Sequence, residues 1–344
     1  MAALRAESTP SPVLLVLSKG DHTVSIVDPA TLKVVAHMPS GPDPHEIVAD
    51  AEGKMAYVSN YGGPGGAYNT ISVVDLIGEK ALPPVDLGVL RGAHGLAFAG
   101  GKLWFTAETN KVIGRYDPLE KRVDWVLGTG QNRTHMIVVS EDLKRIITSN
   151  VSSATISFID KISRPGPNGA RQDDWDETVV PVGRGAEGFD VSPDGSQIWA
   201  ANAQDGTISI IDATEKKVIA TLNANVRSAN RLKFTPDGSL VLVSTLGGPD
   251  LVILDAKTRQ EVKRLRIGRG AAGIQMQSNG ARAYVACTPD DYVAVIDLKS
   301  LEVAGRIEAG RQPDGLAWVI RRCGALRRGL AGAGFGNAIA ENGP

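Results

Sequence analysis

Between Gly183 and Leu222 apolar and polar residues alternate in short runs separated by turn-forming clusters: GRGAEGFDVSPDGSQIWAANAQDGTISIIDATEKKVIATL. An alternating run leads into the turn Ser192 to Gly195, a second run ends at Asn202, a third runs Thr207 to Asp212, and a fourth ends at Leu222. Period-two alternation over such lengths, broken by Gly, Pro, Asp and Asn, predicts four antiparallel strands. One such sheet cannot bury both of its faces, so the unit needs neighbours.

The rest of the chain supplies them. An apolar run closed by aspartate ends at Asp28, Asp75, Asp117, Asp160, Asp212, Asp255 and Asp297, at intervals of 47, 42, 43, 52, 43 and 42 residues. A spacing of about 40–45 residues with four strands per unit is the signature of propeller blades. The predicted fold is all-β: a seven-bladed β-propeller of four-stranded antiparallel blades. The first unit has only three strands before Gly41-Pro42, and Pro313 to Trp318 matches the strand that opens every other unit. The first blade is therefore expected to be closed by both termini, which leaves no open blade in the ring. The seven aspartates are expected to cap turns through their carboxylates.

Residues 1–12 are expected to be a disordered N-terminal segment, 13–318 the propeller, and 319–344 an unstructured tail rich in Gly, Ala and Arg. Two insertions interrupt the repeat. Asn60 to Thr70 joins a second strand to a third, and Lys161 to Trp175 joins a third to a fourth, on opposite faces. The glycine-rich first insertion is either a lid over the channel mouth or a plain surface loop. The formal net charge is −1, so no global basic field draws nucleic acid or anionic membrane. No apolar run reaches the roughly 18 residues of a membrane span. The two cysteines, Cys287 and Cys323, are far apart in sequence and form no CxxC pair, so they do not fix the redox compartment, and Cys287 reads as a small packed residue. Gly268 to Gly273 fits GxGxxG but lies between strands with no helix after it, so it is not a dinucleotide loop.

Tyr57-Val58-Ser59-Asn60, Trp199-Ala200-Ala201-Asn202 and Tyr284-Val285-Ala286-Cys287, with the turns at Ser192 to Gly195 and Thr235 to Gly238, resemble the repeat of the YVTN β-propellers. The resemblance spans Val13 to Trp318. It implies the fold, and it implies a periplasmic or extracellular setting, with a cytoplasmic one still open. Similar propellers include binding proteins, lactonase-like enzymes, lyases and metal- or haem-carrying propellers, so the resemblance does not choose among functions.

Candidate chemistry gathers in one register of the repeat. The turn opening each blade places His45, His94, His135, Glu187, Asn230, Ala272 and Asp314 at equivalent positions. In a propeller this position lies at the mouth of the central channel, with neighbours about 5 Å apart. Imidazoles and a carboxylate can converge there on one divalent transition metal (zinc, iron, manganese or copper). His45, His94, His135 and Glu187 are the candidate ligands; a metal-free polar pocket and purely structural histidines are the alternatives. On the same face lie Asn60, Asn150 and Asn202, with Arg91, Arg133 and Arg231, as candidate substrate-binding residues favouring an anionic group. Glu108 and Tyr61 are the candidate catalytic pair, Glu108 as general base.

Three functions follow. The first is an exported, monomeric binding propeller that takes a small molecule or protein at the channel mouth. The second is a metal-dependent lactonase- or lyase-type enzyme. The third is a metal-carrying redox accessory protein.

Overall fold

The computed structural model describes residues 12–166 and 169–320. The expectations for residues 1–11 and for the tail beyond 320, Cys323 included, lie outside the described residues. Seven four-stranded antiparallel sheets form the body. Blade 2 runs Pro44–Ala49, Met55–Asn60, Thr70–Asp75 and Lys80–Asp86; blade 3 runs Ala93–Ala99, Lys102–Ala107, Val112–Asp117 and Arg122–Gly128. Blades 4 to 7 open with Thr134–Val139, Ala186–Val191, Ala229–Phe234 and Ala271–Met276. Blade 1 is completed from both ends of the sequence: Pro313–Val319 forms its inner strand and pairs antiparallel with Val13–Ser18. Each inner strand contacts those of both neighbouring blades, and the ring closes.

The hydrophobic core lies between blades rather than within one. Tyr57, Ile71 and Val85 of blade 2 pack on Leu96, Leu103 and Phe105 of blade 3. Leu14 and Val16 of blade 1 pack on Tyr284, Val293 and Val295 of blade 7. The second and third strands are buried on both faces and read as near-continuous apolar runs, whereas outer strands such as Lys33–Pro39 alternate with solvent. This is the two-sided burial that one sheet could not supply alone.

Six of the seven aspartates cap turns as expected. Asp212, for example, accepts from the backbone N–H groups of Thr214 and Glu215 at 2.9 and 2.8 Å. Asp160 departs from the pattern. Its blade carries the second insertion, and there the third and fourth strands extend as a paired hairpin, Thr155–Pro165 with Arg171–Pro181. With no turn beside it to cap, Asp160 pairs instead with Arg145 and Lys216, each at 2.6 Å.

Two features of the blade junctions fix the channel mouth. Where one blade passes to the next the backbone is left-handed, always two residues before the channel position: Asp43, Gly92, Arg133, Gly185, Ser228, Gly270 and Gln312. One residue after the channel position, four blades carry glycine. A Cβ at Gly95 would lie 2.4 Å from the His135 carbonyl oxygen, so only glycine lets adjacent inner strands approach this closely. The penultimate residue of the second strand then bridges the junction. Thr106 Oγ1 accepts from Gly95 N–H at 2.9 Å and donates to the His135 carbonyl at 2.8 Å. Ser149 donates to the Glu187 carbonyl at 2.7 Å, and Ser244 to that of Ala272 at 2.6 Å. Side-chain hydroxyls thus tie each of these blades to the backbone of the next channel residue.

Candidate functional site

The channel residues face one cavity of about 350 Å³, bordered by Lys19, His45, Tyr61, His94, His135 and Glu187 among others. A larger groove, about 530 Å³, lies on the opposite face between blades 4 and 5. Arg145 and Asp160 pair with each other within it and it holds no imidazole, whereas the channel mouth brings three imidazoles to one cavity.

The histidine column does come together. The rings of His45 and His94 are 5.2 Å apart between centroids, and those of His94 and His135 are 3.7 Å apart with a 32° tilt. Glu108 reaches the column from the loop after the second strand of blade 3, where Glu108–Asn110 forms a single 3-10 turn. Its carboxylate takes the Tyr61 hydroxyl at 2.5 Å and hydrogen-bonds His135 Nδ1. Glu187 Oε1 lies 2.9 Å from His135 Nε2, close enough for an ion pair but off the hydrogen-bond line, and that nitrogen has no hydrogen-bond partner. His94 Nδ1 is buried with none at all.

Electrostatics separates the two stacked imidazoles. Complete burial, with His135 beside it, holds His94 well below the ordinary histidine range, so it is neutral. Burial alone would lower His135 too, but Glu187 and Glu108 outweigh it and raise its pKa. For Glu187, burial pulls upward while His135 and Arg133 bring the carboxyl down to about 2. Burial, and behind it Glu108, pushes the Tyr61 phenol up to about 12. Tyr61 is therefore a proton-bearing donor at neutral pH.

His94, Glu108 and His135 offer ligand atoms that all lie within 4.8 Å of one another. This set differs from the one expected from the repeat register. Glu108, expected to be a base, stands where Glu187 was expected as a ligand. His45 is turned to other partners: its Nε2 is 2.9 Å from Lys19 Nζ, and its Nδ1 is 3.2 Å from the Asp43 carbonyl. Lys19 also pairs with Asp314 at 3.2 Å.

Of the expected substrate-binding residues, Arg133 and Arg231 border the cavity. Arg231 is buried and paired with Glu46, which lies across the ring in blade 2. That pair bars the channel from side to side. Arg133 occupies the left-handed blade entry at φ 56°, a conformation that costs an L-residue roughly 1–2 kcal/mol. Arg91 does not border the cavity and instead donates to the Ala67 carbonyl at 3.2 Å. The expectation for the three asparagines is corrected as well. Asn60, Asn150 and Asn202 are fully buried, and their amides donate to Thr70, Thr155 and Thr207 at 2.8, 3.1 and 2.9 Å. They tie their own blades together. Cys287 is buried among apolar residues, and burial pushes its thiol up to about 11, so it is an inert packing residue.

Lys19, Glu46 and the bridging hydroxyls were not singled out from the sequence. Lys19 was legible in principle, because it follows Ser18 as Tyr61 follows Asn60 and Glu108 follows Ala107. The first insertion forms a two-stranded ribbon, Gly62–Gly63 with Gly66–Ala67. Tyr61 sits at its base, with its ring edge-on to His94 at 5.0 Å.

Comparison with known proteins agrees with this architecture. Residues 142–280 match the Cytochrome D1 heme domain family. No curated protein matches the chain in sequence. A functionally unknown protein from Desulfotomaculum acetoxidans is similar in structure, with 16% identity and a TM-score of 0.70, over 91% of this chain and 100% of that one. A Bacteroides uniformis protein provisionally assigned as a 6-phosphogluconolactonase shares 14% identity with a TM-score of 0.70, over 90% and 99%. Dihydro-heme d1 dehydrogenase NirN in complex with DHE shares 16% identity with a TM-score of 0.62, over 92% and 77%. At such identities the likeness is one of fold. The segment matching the haem domain contains Glu187 and Arg231 but not Tyr61, His94, Glu108 or His135. Among the described residues no helix is long and apolar enough to cross a membrane. The chain is a seven-bladed β-propeller, similar over part of its length to the cytochrome d1 haem domain.

Proposed function

We propose that this propeller holds one divalent transition metal at its channel mouth and binds a small molecule in the cavity beside it, with lactonase- or lyase-type chemistry as its activity. One observation carries the reading. His94, whose buried Nδ1 has no hydrogen-bond partner, offers a ring nitrogen within 4.8 Å of ligand atoms of His135 and the Glu108 carboxylate. A buried polar atom left unsatisfied costs about 1–3 kcal/mol, and a metal would remove that cost. Bonds of 2.0–2.1 Å to a tetrahedral ion bring ligand atoms to about 3.4 Å from one another, so only a modest inward shift is required. The donor set, two imidazoles and a carboxylate, suits zinc, iron or manganese.

A bound divalent ion would polarise a carbonyl or lower the pKa of a water. The chain's own residues supply the rest. Tyr61, whose pKa lies near 12, keeps its proton at neutral pH and can give it to a leaving or enolic oxygen. Glu187 stays ionised beside His135. The Arg231–Glu46 bar forms the floor, and the ribbon after Tyr61 borders the entrance. Equilibrium dialysis against zinc tests the reading. The parent should retain one equivalent, Glu108→Gln should retain at least tenfold less tightly, and Glu187→Gln should stay close to the parent. Equal affinity in parent and Glu108→Gln would remove the site.

The haem-carrying alternative fits less well. The His94 and His135 rings are in contact at 3.7 Å, so no macrocycle enters between them. A tetrapyrrole also needs space towards the upper end of the roughly 300–1,000 Å³ usual for ligand pockets. A non-catalytic binding role is the second reading. It is supported by His135, whose two ring nitrogens already lie against the Glu108 and Glu187 carboxylates without an ion. A periplasmic or extracellular setting rests on the resemblance to exported YVTN propellers, and cell fractionation tests it.

A further inference from the structure

Arg133 differs from the other cations at the channel mouth. Lys19 is taken up by His45 and Asp314, and Arg231 by Glu46 and the Asn230 carbonyl. Arg133 approaches Glu108 and Glu187 at 3.6 and 3.7 Å, beyond hydrogen-bond distance, has the Tyr61 hydroxyl as a further polar neighbour, and its side chain is 40% exposed. Both of those carboxylates are already held by His135. Arg133 also stands at a left-handed position that Gly92, Gly185 and Gly270 occupy in three other blades without strain, and that Asp43, Ser228 and Gln312 share with it. Of the four non-glycine residues at this position, only Arg133 carries a cationic side chain that borders the cavity.

The cavity wall facing Arg133 is of another kind. Blades 6 and 7 contribute the uncharged Leu246, Gly270, Ala272, Thr288 and Pro289, beside Asn230 and an Arg231 that Glu46 already neutralises. Ala272 leaves a gap in a column that elsewhere carries histidine, carboxylate or amide. Opposite Arg133 the site thus has a wall of uncharged residues whose one cation, Arg231, is already paired.

We infer that Arg133 reads an oxyanion group, carboxylate or phosphate, on the small molecule bound at the channel mouth, with the body of that molecule lying over the neutral wall of blades 6 and 7. The planar guanidinium can present two parallel N–H donors to such a group. This deepens the reading given under Proposed function and rests on that site, but it makes Arg133 a specificity residue rather than a metal ligand.

The position offers an unusual test, because Arg133→Gly removes the side chain and relieves the backbone together. Malonate and inorganic phosphate are titrated separately, by calorimetry, into the parent, Arg133→Gly and Arg133→Lys. Metal content and thermal unfolding are measured on the same samples. The expected result is binding of at least one anion by the parent, weakened tenfold or more in Arg133→Gly and by an intermediate factor in Arg133→Lys. The melting temperature of Arg133→Gly should be no lower than that of the parent, and its metal content unchanged. The malonate and phosphate arms distinguish a carboxylate reader from a phosphate reader. Equal affinity in parent and Arg133→Gly would overturn the inference, as would a parent that binds neither anion. Arg133-dependent anion binding in a protein that takes up no metal would leave this inference standing while the metal reading failed.

Discussion

Thr106→Val isolates the device that sets the histidine column. Valine has nearly the shape of threonine, so no cavity opens, and Thr106 is fully buried. What is lost is a hydroxyl that accepts from Gly95 N–H at 2.9 Å and donates to the His135 carbonyl at 2.8 Å. Both partners are left inside the blade junction, and each unsatisfied group costs about 1–3 kcal/mol. A combined loss of about 3 kcal/mol is expected. At about 2 °C per kcal/mol for a domain of this size, the melting temperature falls by about 6 °C. Urea denaturation gives the same loss as a lower midpoint at constant slope. Because the bridged carbonyl belongs to His135, zinc affinity should weaken about tenfold, as is typical when a ligand's supporting hydrogen bond is removed. Thr106→Ser keeps the hydroxyl and should stay within about 1 kcal/mol of the parent. A Thr106→Val protein within about 0.5 kcal/mol of the parent, with unchanged zinc affinity, would refute the idea that these hydroxyls position the site.

Other outcomes follow from the same geometry. In metal-free protein the raised pKa of His135 contributes stability in full below about pH 6.5, its unfolded value, and that contribution is lost as pH rises through the folded value. The lowered pKa of His94 acts in the opposite sense: below about pH 6.5 the unfolded chain takes a proton that the folded protein refuses, so stability falls with pH. The melting temperature of metal-free protein should therefore peak near pH 6.5, losing its alkaline limb in His135→Gln and its upper acid limb in His94→Gln; a flat profile in the parent contradicts this. The Glu187 contribution holds above about pH 4.5 and disappears only as pH falls through about 2. Arg231→Met should cost about 3–5 kcal/mol because it strands Glu46 in the channel, whereas Arg231→Met with Glu46→Leu should recover most of that loss in urea denaturation. Recovery of nothing would mean that the pair is not isolated from its neighbours.

The fold was legible because every blade repeats one pattern in one register, and seven copies average out local irregularities. The same register exposed the histidine column, since His45, His94 and His135 share one position in three successive units. It failed where the geometry depends on the direction of a side chain rather than its position. Asn60, Asn150 and Asn202 stand one residue before Tyr61 and Glu108 or their equivalents, yet their amides turn back into the sheet. Glu108 reaches His135 only because it begins a 3-10 turn at the junction of two blades, and no spacing in the chain marks that. Asp160 broke the turn rule because the insertion next to it continued the strands. Contacts across the ring, such as Arg231 with Glu46, join residues 185 positions apart and have no sequence signature at all.

Elemental analysis of untagged protein, beside a His94→Ala, His135→Ala double variant, bears most directly on the channel-mouth site. The account predicts about one equivalent of a transition metal in the parent and none in the variant, with both proteins folded by circular dichroism. A parent without metal, even after dialysis against zinc, iron, manganese or copper, would contradict it and leave the cavity as a metal-free binding site.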